Sequence, residues 1–116
     1  MAHFEIYILN YNGAQFLPDC LNSLRQIDRG TNTVVVNVVD NGSTDGSREL
    51  VQNSYPEVNF ISLNSNIGFS RGNNAGVEIR KRALALEGRK ANFHVFLNNI
   101  PKASRTDRGF NSCGIL

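Results

Sequence analysis

The chain has no stretch near the roughly twenty consecutive apolar residues that a membrane helix requires, and its first residues lack the basic start and long apolar run of a signal peptide. The expected compartment is therefore the cytoplasm. Cysteine is scarce as well. Cys20 and Cys113 do not make a disulfide framework, and neither stands near a second cysteine or a histidine at zinc-ligand spacing. Cys20 reads as a small core residue, and His3 and His94 read as structural or incidental, one in the N-terminal tail and the other inside a strand-like run. The common ligand motifs are missing too. "NYNGAQ", after the first apolar run, is not the G-x-G-x-x-G of dinucleotide binders, and no G-x-x-x-x-G-K-[ST] phosphate loop or G-x-S-x-G nucleophile elbow occurs. Nicotinamide cofactors, P-loop hydrolysis and acyl transfer all lose support.

What is present suits one soluble globular domain. A length of 116 residues accommodates one core and not two, and 41% hydrophobic with 19% charged residues argues against disorder. The net charge of +2 hides an asymmetry: residues 1–70 carry 3 basic and 7 acidic side chains, residues 71–116 carry 9 and 3. Such a bias can mark a phosphate, nucleic-acid or anionic-lipid surface. Arg80, Lys81 and Arg82 on a helix also suit a merely solvated face, and no nucleic-acid contact is expected.

The chain repeats one grammar. "FEIYIL" (4–9) reads as a strand ending in the turn "NYNG". Leu17, Cys20, Leu21, Leu24 and Ile27 then recur at three- and four-residue steps on one helix face, with Pro18 in the first turn. "TVVVNVV" (33–39) is too short and too β-branched for a helix, and its near-continuous apolarity fits a strand covered on both faces. After "DNGSTDG" comes a short helix near 46–54, where Asp45 is placed to cap backbone amides. "VNFISL" (58–63) leads into "NSNIGFSRGNN". Gly72, Ala75, Gly76, Ile79, Ala83 and Leu86 then trace a small-residue helix face ended by Gly88, and "NFHVFL" (92–97) ends in Asn98 and Asn99. Strands alternating with helices on short links predict an α/β fold: a doubly wound, mostly parallel sheet with helices on both faces.

In such sheets ligands collect outside the carboxyl ends of the strands. All four predicted strand ends here are rich in Asn, Asp, Ser and Gly: 10–13, 40–46, 64–74 and 98–99. An acid in that position, Asp40, can accept hydrogen bonds from a ligand's N–H or hydroxyl groups, or it can simply begin an Asx-turn. Tyr11 can face a ligand or serve as a core aromatic, and the glycines after the third strand can admit a ligand or a close helix.

Together, "ILNYNGAQFLPDCLNSL", "VVDNGSTDGS" and "NSNIGFSRGNNAGV" resemble the N-terminal half of the family 2 glycosyltransferases, particularly the rhamnosyltransferase-like members. The resemblance covers residues 4 to about 99. It implies the N-terminal half of a glycosyltransferase A fold and transfer of a sugar from a nucleoside diphosphate sugar to an acceptor hydroxyl, with inversion. It also implies a divalent metal, Mn or Mg. By this resemblance Asn10, Tyr11 and Asn12 line the base and ribose pocket. Asp40, beside Asn41, accepts a hydrogen bond from the base. Gly68, Arg71, Gly72 and Asn73 lie under the sugar and diphosphate.

The family typically shows Asn, any residue, Asp after the fourth strand. This chain has Asn98, Asn99 and Ile100, so the metal position falls on two amides without the expected carboxylate. Residues 1–99 read as the nucleotide-sugar-binding domain, and residues 100–116 as a tail unlike the family, from a truncation or a shifted reading frame. The expected catalytic base lies beyond this chain. Expected partners are a nucleoside diphosphate sugar, an acceptor glycan or lipid-linked sugar, and a second copy through an exposed sheet edge; full-length relatives are expected to associate with the inner face of the membrane. A non-catalytic nucleotide or nucleotide-sugar binding module is the alternative. A phosphate-accepting receiver domain fits less well, because "NYNG" supplies no acids after the first strand.

Overall fold

A computed structural model of the chain describes residues 1–98 and 114–115. The elements in order are β1 (His3–Asn10), α1 (Leu17–Arg25), β2 (Thr33–Asp40), α2 (Ser47–Ser54), β3 (Asn59–Ser62), α3 (Phe69–Leu86), β4 (Phe93–Asn98) and β5 (Gly114–Ile115). They form one sheet in the order β3-β2-β1-β4-β5, in which the first four strands are parallel and β5 pairs antiparallel with the end of β4. The expected doubly wound α/β layout is present. The chain moves outward from β1 to β2 to β3 and then crosses back to β4, so the strand order reverses between β1 and β4, the point at which doubly wound sheets open a crevice.

Side-chain alternation along the strands builds two unlike layers. Ile6, Ile8, Val36 and Val38 meet Leu17, Cys20, Leu21, Leu24, Val51 and Tyr55 in the hydrophobic core beneath α1 and α2. Tyr7, Leu9 and Val39, one residue out of step, face α3 instead. In α1, Pro18 occupies the first turn, and Leu17, Cys20, Leu21 and Leu24 are buried as the spacing predicts. Each such leucine contributes about 1.5–3 kcal/mol by leaving water. Ile27, expected on that face, falls beyond the end of the helix at Arg25 and is exposed. Cys20 is fully buried in that core; Cys113 lies outside the described residues.

The third helix departs most from the sequence reading. It begins at Phe69, inside the segment read as loop, and buries Gly72, Asn73, Gly76 and Leu84. Ile79 and Leu86, expected on the buried face, are 42% and 91% exposed. The helix is rotated so that the row 72, 76, 80, 84 faces the sheet, and Arg80 on that row reaches the buried carboxylate of Glu5. His3 is the first residue of β1 rather than part of a tail; its Nε2 lies 2.5 Å from Glu5 Oε2. His94 Nδ1 lies 2.8 Å from the Tyr7 hydroxyl, so both histidines are structural. Among the described residues no helix is long and apolar enough to cross a membrane.

Candidate functional site

Strand register gathers the polar strand ends on one rim. Asn10 is the register partner of Asp40, Leu9 of Asn98, and Asp40 of Ser62, so the carboxyl ends of β1, β2, β3 and β4 finish side by side. The loops that follow are tied to one another. Asn10, fully buried, donates from Nδ2 to Asp40 Oδ1 at 2.9 Å and to Ser47 Oγ at 3.0 Å. Ser43 Oγ donates to Asp40 Oδ1 at 2.6 Å and accepts the Asn12 amide at 2.8 Å, while the Thr44 amide donates to Asn12 Oδ1 at 2.8 Å. Asn12 takes a positive φ of 50° at this join, a conformation asparagine tolerates better than most residues.

Asp40 combines the two roles considered for it. It begins an Asx-type turn, since Oδ2 accepts the Ser43 amide at 2.9 Å. It also stands at the strand end on the crevice side, 4% exposed, with its carboxylate held by three internal donors. Asp45 does more than cap α2. It precedes the N-cap Gly46, and its carboxylate accepts the Ser47 amide and hydroxyl on one oxygen and the Ala14 amide on the other. Burial alone would raise the Asp45 carboxyl, but the hydrogen bonds from Ser47 and the Ala14 amide outweigh it and hold the group below the ordinary carboxylate range. Ser43, Ser47 and the Asp45 bridge were not identified from sequence. The density of Ser and Asp in 40–47 was the signal, but the partners lie about 30 residues away.

Asn41 pins the next loop. Its Nδ2 donates to Asn66 Oδ1 at 3.0 Å and to the Gly68 carbonyl at 3.2 Å, and its Oδ1 accepts the Ile67 amide at 3.1 Å. Gly42, with φ +87°, lies against that loop so closely that a Cβ would sit 2.8 Å from Ser65 Cα. Gly68 then leads into α3, whose start has no side-chain cap and no acidic residue in its first turn. Its leading amides therefore have no partner within the helix, and Arg71 is exposed beside them. Gly72 packs beside the Asn41 amide. Asn73 follows, 7% exposed, and its Oδ1 is a buried acceptor with no hydrogen-bond partner among the described residues.

Asn10, Asn12, Asp40, Asn41, Gly68, Gly72 and Asn73 thus share one rim with the end of Asn98's strand. Tyr11 is 54% exposed there and takes no part in the core. A cleft of about 250 Å³ opens beside Asp40, Ser43, Thr44, Ser47 and Ser62. A roomier one of about 430 Å³, bordered by Lys81, Leu84, Arg89 and His94, lies at the far end of α3, away from the rim. Asn99 and Ile100 lie outside the described residues. Among the described residues there is no group of three or more His, Cys, Asp or Glu that could hold a metal, and the rim's one buried carboxylate, Asp40, is engaged by Asn10 and Ser43. Taken alone, these described donors do not fit a hard divalent cation.

The profile described as glycosyl transferase family 2 matches residues 5–81. The mannosyltransferase PcManGT from Pyrobaculum calidifontis, solved in complex with GDP-Man and Mn2+, aligns with TM-score 0.57 and 19% identity over 83% of this chain and 27% of its own. S. aureus TarS aligns with TM-score 0.56 and 22% identity over 84% and 16%. A structure of S. aureus TarS 1-349 gives TM-score 0.55 and 23% identity over 84% and 27%. At these identities the likeness establishes the fold, and the chain spans 16 to 27% of the length of these structures. No curated protein matches the chain.

Proposed function

The chain belongs to glycosyl transferase family 2, and from that premise we propose that its rim is the donor-binding half of an enzyme moving a sugar from a nucleoside diphosphate sugar to an acceptor hydroxyl. One observation carries the reading: the buried, unpartnered Oδ1 of Asn73 lies in the first turns of a helix whose leading amides are uncapped. A buried acceptor left unmade costs about 1–3 kcal/mol, so the site is complete only when something donates to it. A diphosphate carries acceptors and suits the helix amides and Arg71. A sugar or ribose hydroxyl can donate to Asn73. A nucleoside diphosphate sugar offers both chemistries in one molecule.

The remaining roles follow from the loops. Asp40 is held by Asn10 and by the Ser43 amide and hydroxyl, so its free lone-pair direction is fixed before a base arrives and little ordering is lost on binding. Tyr11 and Asn12 flank it and can cover the base and ribose. Inversion, a rhamnosyl-type donor and a glycan or lipid-linked acceptor extend the same proposal by family resemblance. Self-association has its own support, because β3 leaves one edge of the described sheet unpaired. A clean monomer in light scattering at high concentration would exclude it.

Calorimetric titration with UDP and GDP, with and without Mn2+, tests the donor reading. Binding in the micromolar to millimolar range (about −8 to −4 kcal/mol) that is indifferent to Mn2+ is expected, since Asn98 brings no carboxylate. Failure of both nucleotides to bind refutes it, and a strict Mn2+ requirement refutes the account of the metal position.

A further inference from the structure

The helix that carries the Gly68–Asn73 part of the rim has little apolar surface with which to hold the sheet. Leu84 is the single large apolar side chain that α3 buries along its 18 residues, whereas the 9 residues of α1 bury Leu17, Cys20, Leu21 and Leu24. Gly72 and Gly76 bring α3 so near the sheet that a Cβ at either would stand 2.7 Å from Leu9 Cδ1 or 2.6 Å from Val39 Cγ2. The glycines set the distance but remove almost no apolar area from water, and so supply almost no adhesion.

The next residue on the same row, Arg80, supplies it. Its guanidinium donates from Nε to Glu5 Oε1 at 2.7 Å and from Nη2 to Glu5 Oε2 at 3.2 Å. Glu5 is completely buried in β1, and Asn37 Nδ2 donates to its Oε1 at 3.0 Å while His3 Nε2 lies 2.5 Å from its Oε2. Asn59 Nδ2 donates in turn to Asn37 Oδ1 at 2.9 Å, and Arg89, just beyond α3, lies 3.1 Å from His3 Nδ1. The network therefore runs from β3 through β2 and β1 to the middle and end of α3. Arg80 lies seven residues from Asn73, roughly 10 Å along the helix axis.

We propose that Glu5 and Arg80 are positioning residues for donor binding: the pair holds α3 at the height and tilt at which its first turns complete the rim, without either residue touching the donor. The proposal rests on the donor-binding reading of that rim. Replacing a buried ion pair as a whole is often neutral for stability, whereas leaving one partner alone is not. Holding the helix and stabilising the fold can therefore be separated.

The test is hydrogen exchange on the ligand-free full chain, with thermal midpoints and calorimetric titration with UDP and GDP. The variants are Arg80→Lys, Arg80→Met and the double variant Glu5→Gln/Arg80→Met. Arg80→Met is expected to lower the midpoint and to raise amide exchange in residues 70–76 by about tenfold, with the core strands less affected. Arg80→Lys keeps the charge but loses the two-point contact, and recovers only part of the protection. In the double variant the midpoint is expected to return close to wild type, while exchange in 70–76 stays raised and nucleotide affinity is about tenfold below wild type, as it is expected to be in Arg80→Met.

Recovery of midpoint, exchange and affinity together in the double variant would overturn the proposal. Unchanged exchange in Arg80→Met would do the same. If Arg80→Met does not fold, Arg80→Lys is read on exchange and affinity alone, and wild-type values for both overturn the proposal. If wild type binds neither UDP nor GDP, the donor reading falls together with the ligand part of this proposal, and the exchange comparison still decides whether the pair holds α3.

Discussion

Replacing Gly42 by alanine probes the join between the second loop and the third. Two costs add. The residue has φ +87°, and holding a side-chain-bearing residue in the left-handed region costs about 1–2 kcal/mol. The new Cβ would also stand 2.8 Å from Ser65 Cα, 2.9 Å from Ser65 C and 3.1 Å from the Asn66 amide nitrogen. These are backbone atoms that no rotamer change can withdraw, and overpacking of this kind costs about 1–3 kcal/mol. The expected loss is therefore about 2–5 kcal/mol. Gly46 is a matched control: its φ is +85°, but the nearest atom to a Cβ there is Glu49 Oε2 at 3.8 Å, so Gly46→Ala should cost about 1–2 kcal/mol of strain alone. Urea unfolding of both variants measures the difference. At a slope of about 1–2 kcal/mol/M the midpoints should differ by about 1 M, Gly42→Ala being the less stable, and nucleotide affinity should fall with it because Asn41 pins the displaced loop. Coincident urea midpoints would refute the close approach of residues 42 and 65.

Asn73→Ala should leave stability unchanged or raise it by about 1 kcal/mol, because it removes a buried acceptor that lacks a partner. It should also weaken binding of a UDP-sugar or GDP-sugar about tenfold; a large loss of stability without loss of affinity would contradict the role given to its Oδ1. Tyr11→Ala should change the urea midpoint by less than about 0.5 kcal/mol equivalent, as expected for a side chain outside the core, yet reduce nucleotide affinity in calorimetry. Acid should unfold the protein with a definite sign. In Glu5 burial is outweighed by hydrogen bonds from Arg80, His3 and Asn37, and Asp45 is lowered as described above. The Arg25 hydrogen bond pushes Glu57 down to about 2. Groups with lowered folded-state pKa contribute their full stability above the unfolded values of about 4 and lose it as pH falls through the folded ones. Urea midpoints should thus begin to fall below about pH 6.5, because burial holds the His94 ring below the ordinary histidine range and the unfolded chain takes up that proton first, and should fall further below about pH 4. Glu57→Gln should change that curve little, since the Arg25–Glu57 pair is exposed to screening.

Much of this protein is legible in its amino-acid sequence. The β-branched runs, the helical spacing of Leu17, Cys20, Leu21 and Leu24, and the polar residues after each strand give the α/β alternation and the polar rim, because periodicity and turn chemistry are local properties that each segment carries alone. Tertiary structure decided everything that depends on which segment lies against which. The face of α3 could not be read from its apolar spacing, which favoured Ile79 and Leu86, since the sheet-facing row includes Arg80, whose partner is a carboxylate 75 residues away, that of Glu5. The bridge from Asp45 to Ala14, the pinning of residues 66–68 by Asn41 and the buried, unanswered oxygen of Asn73 likewise arise only when separate loops are brought to one edge. A hydrogen bond between distant residues leaves no periodic trace in either segment.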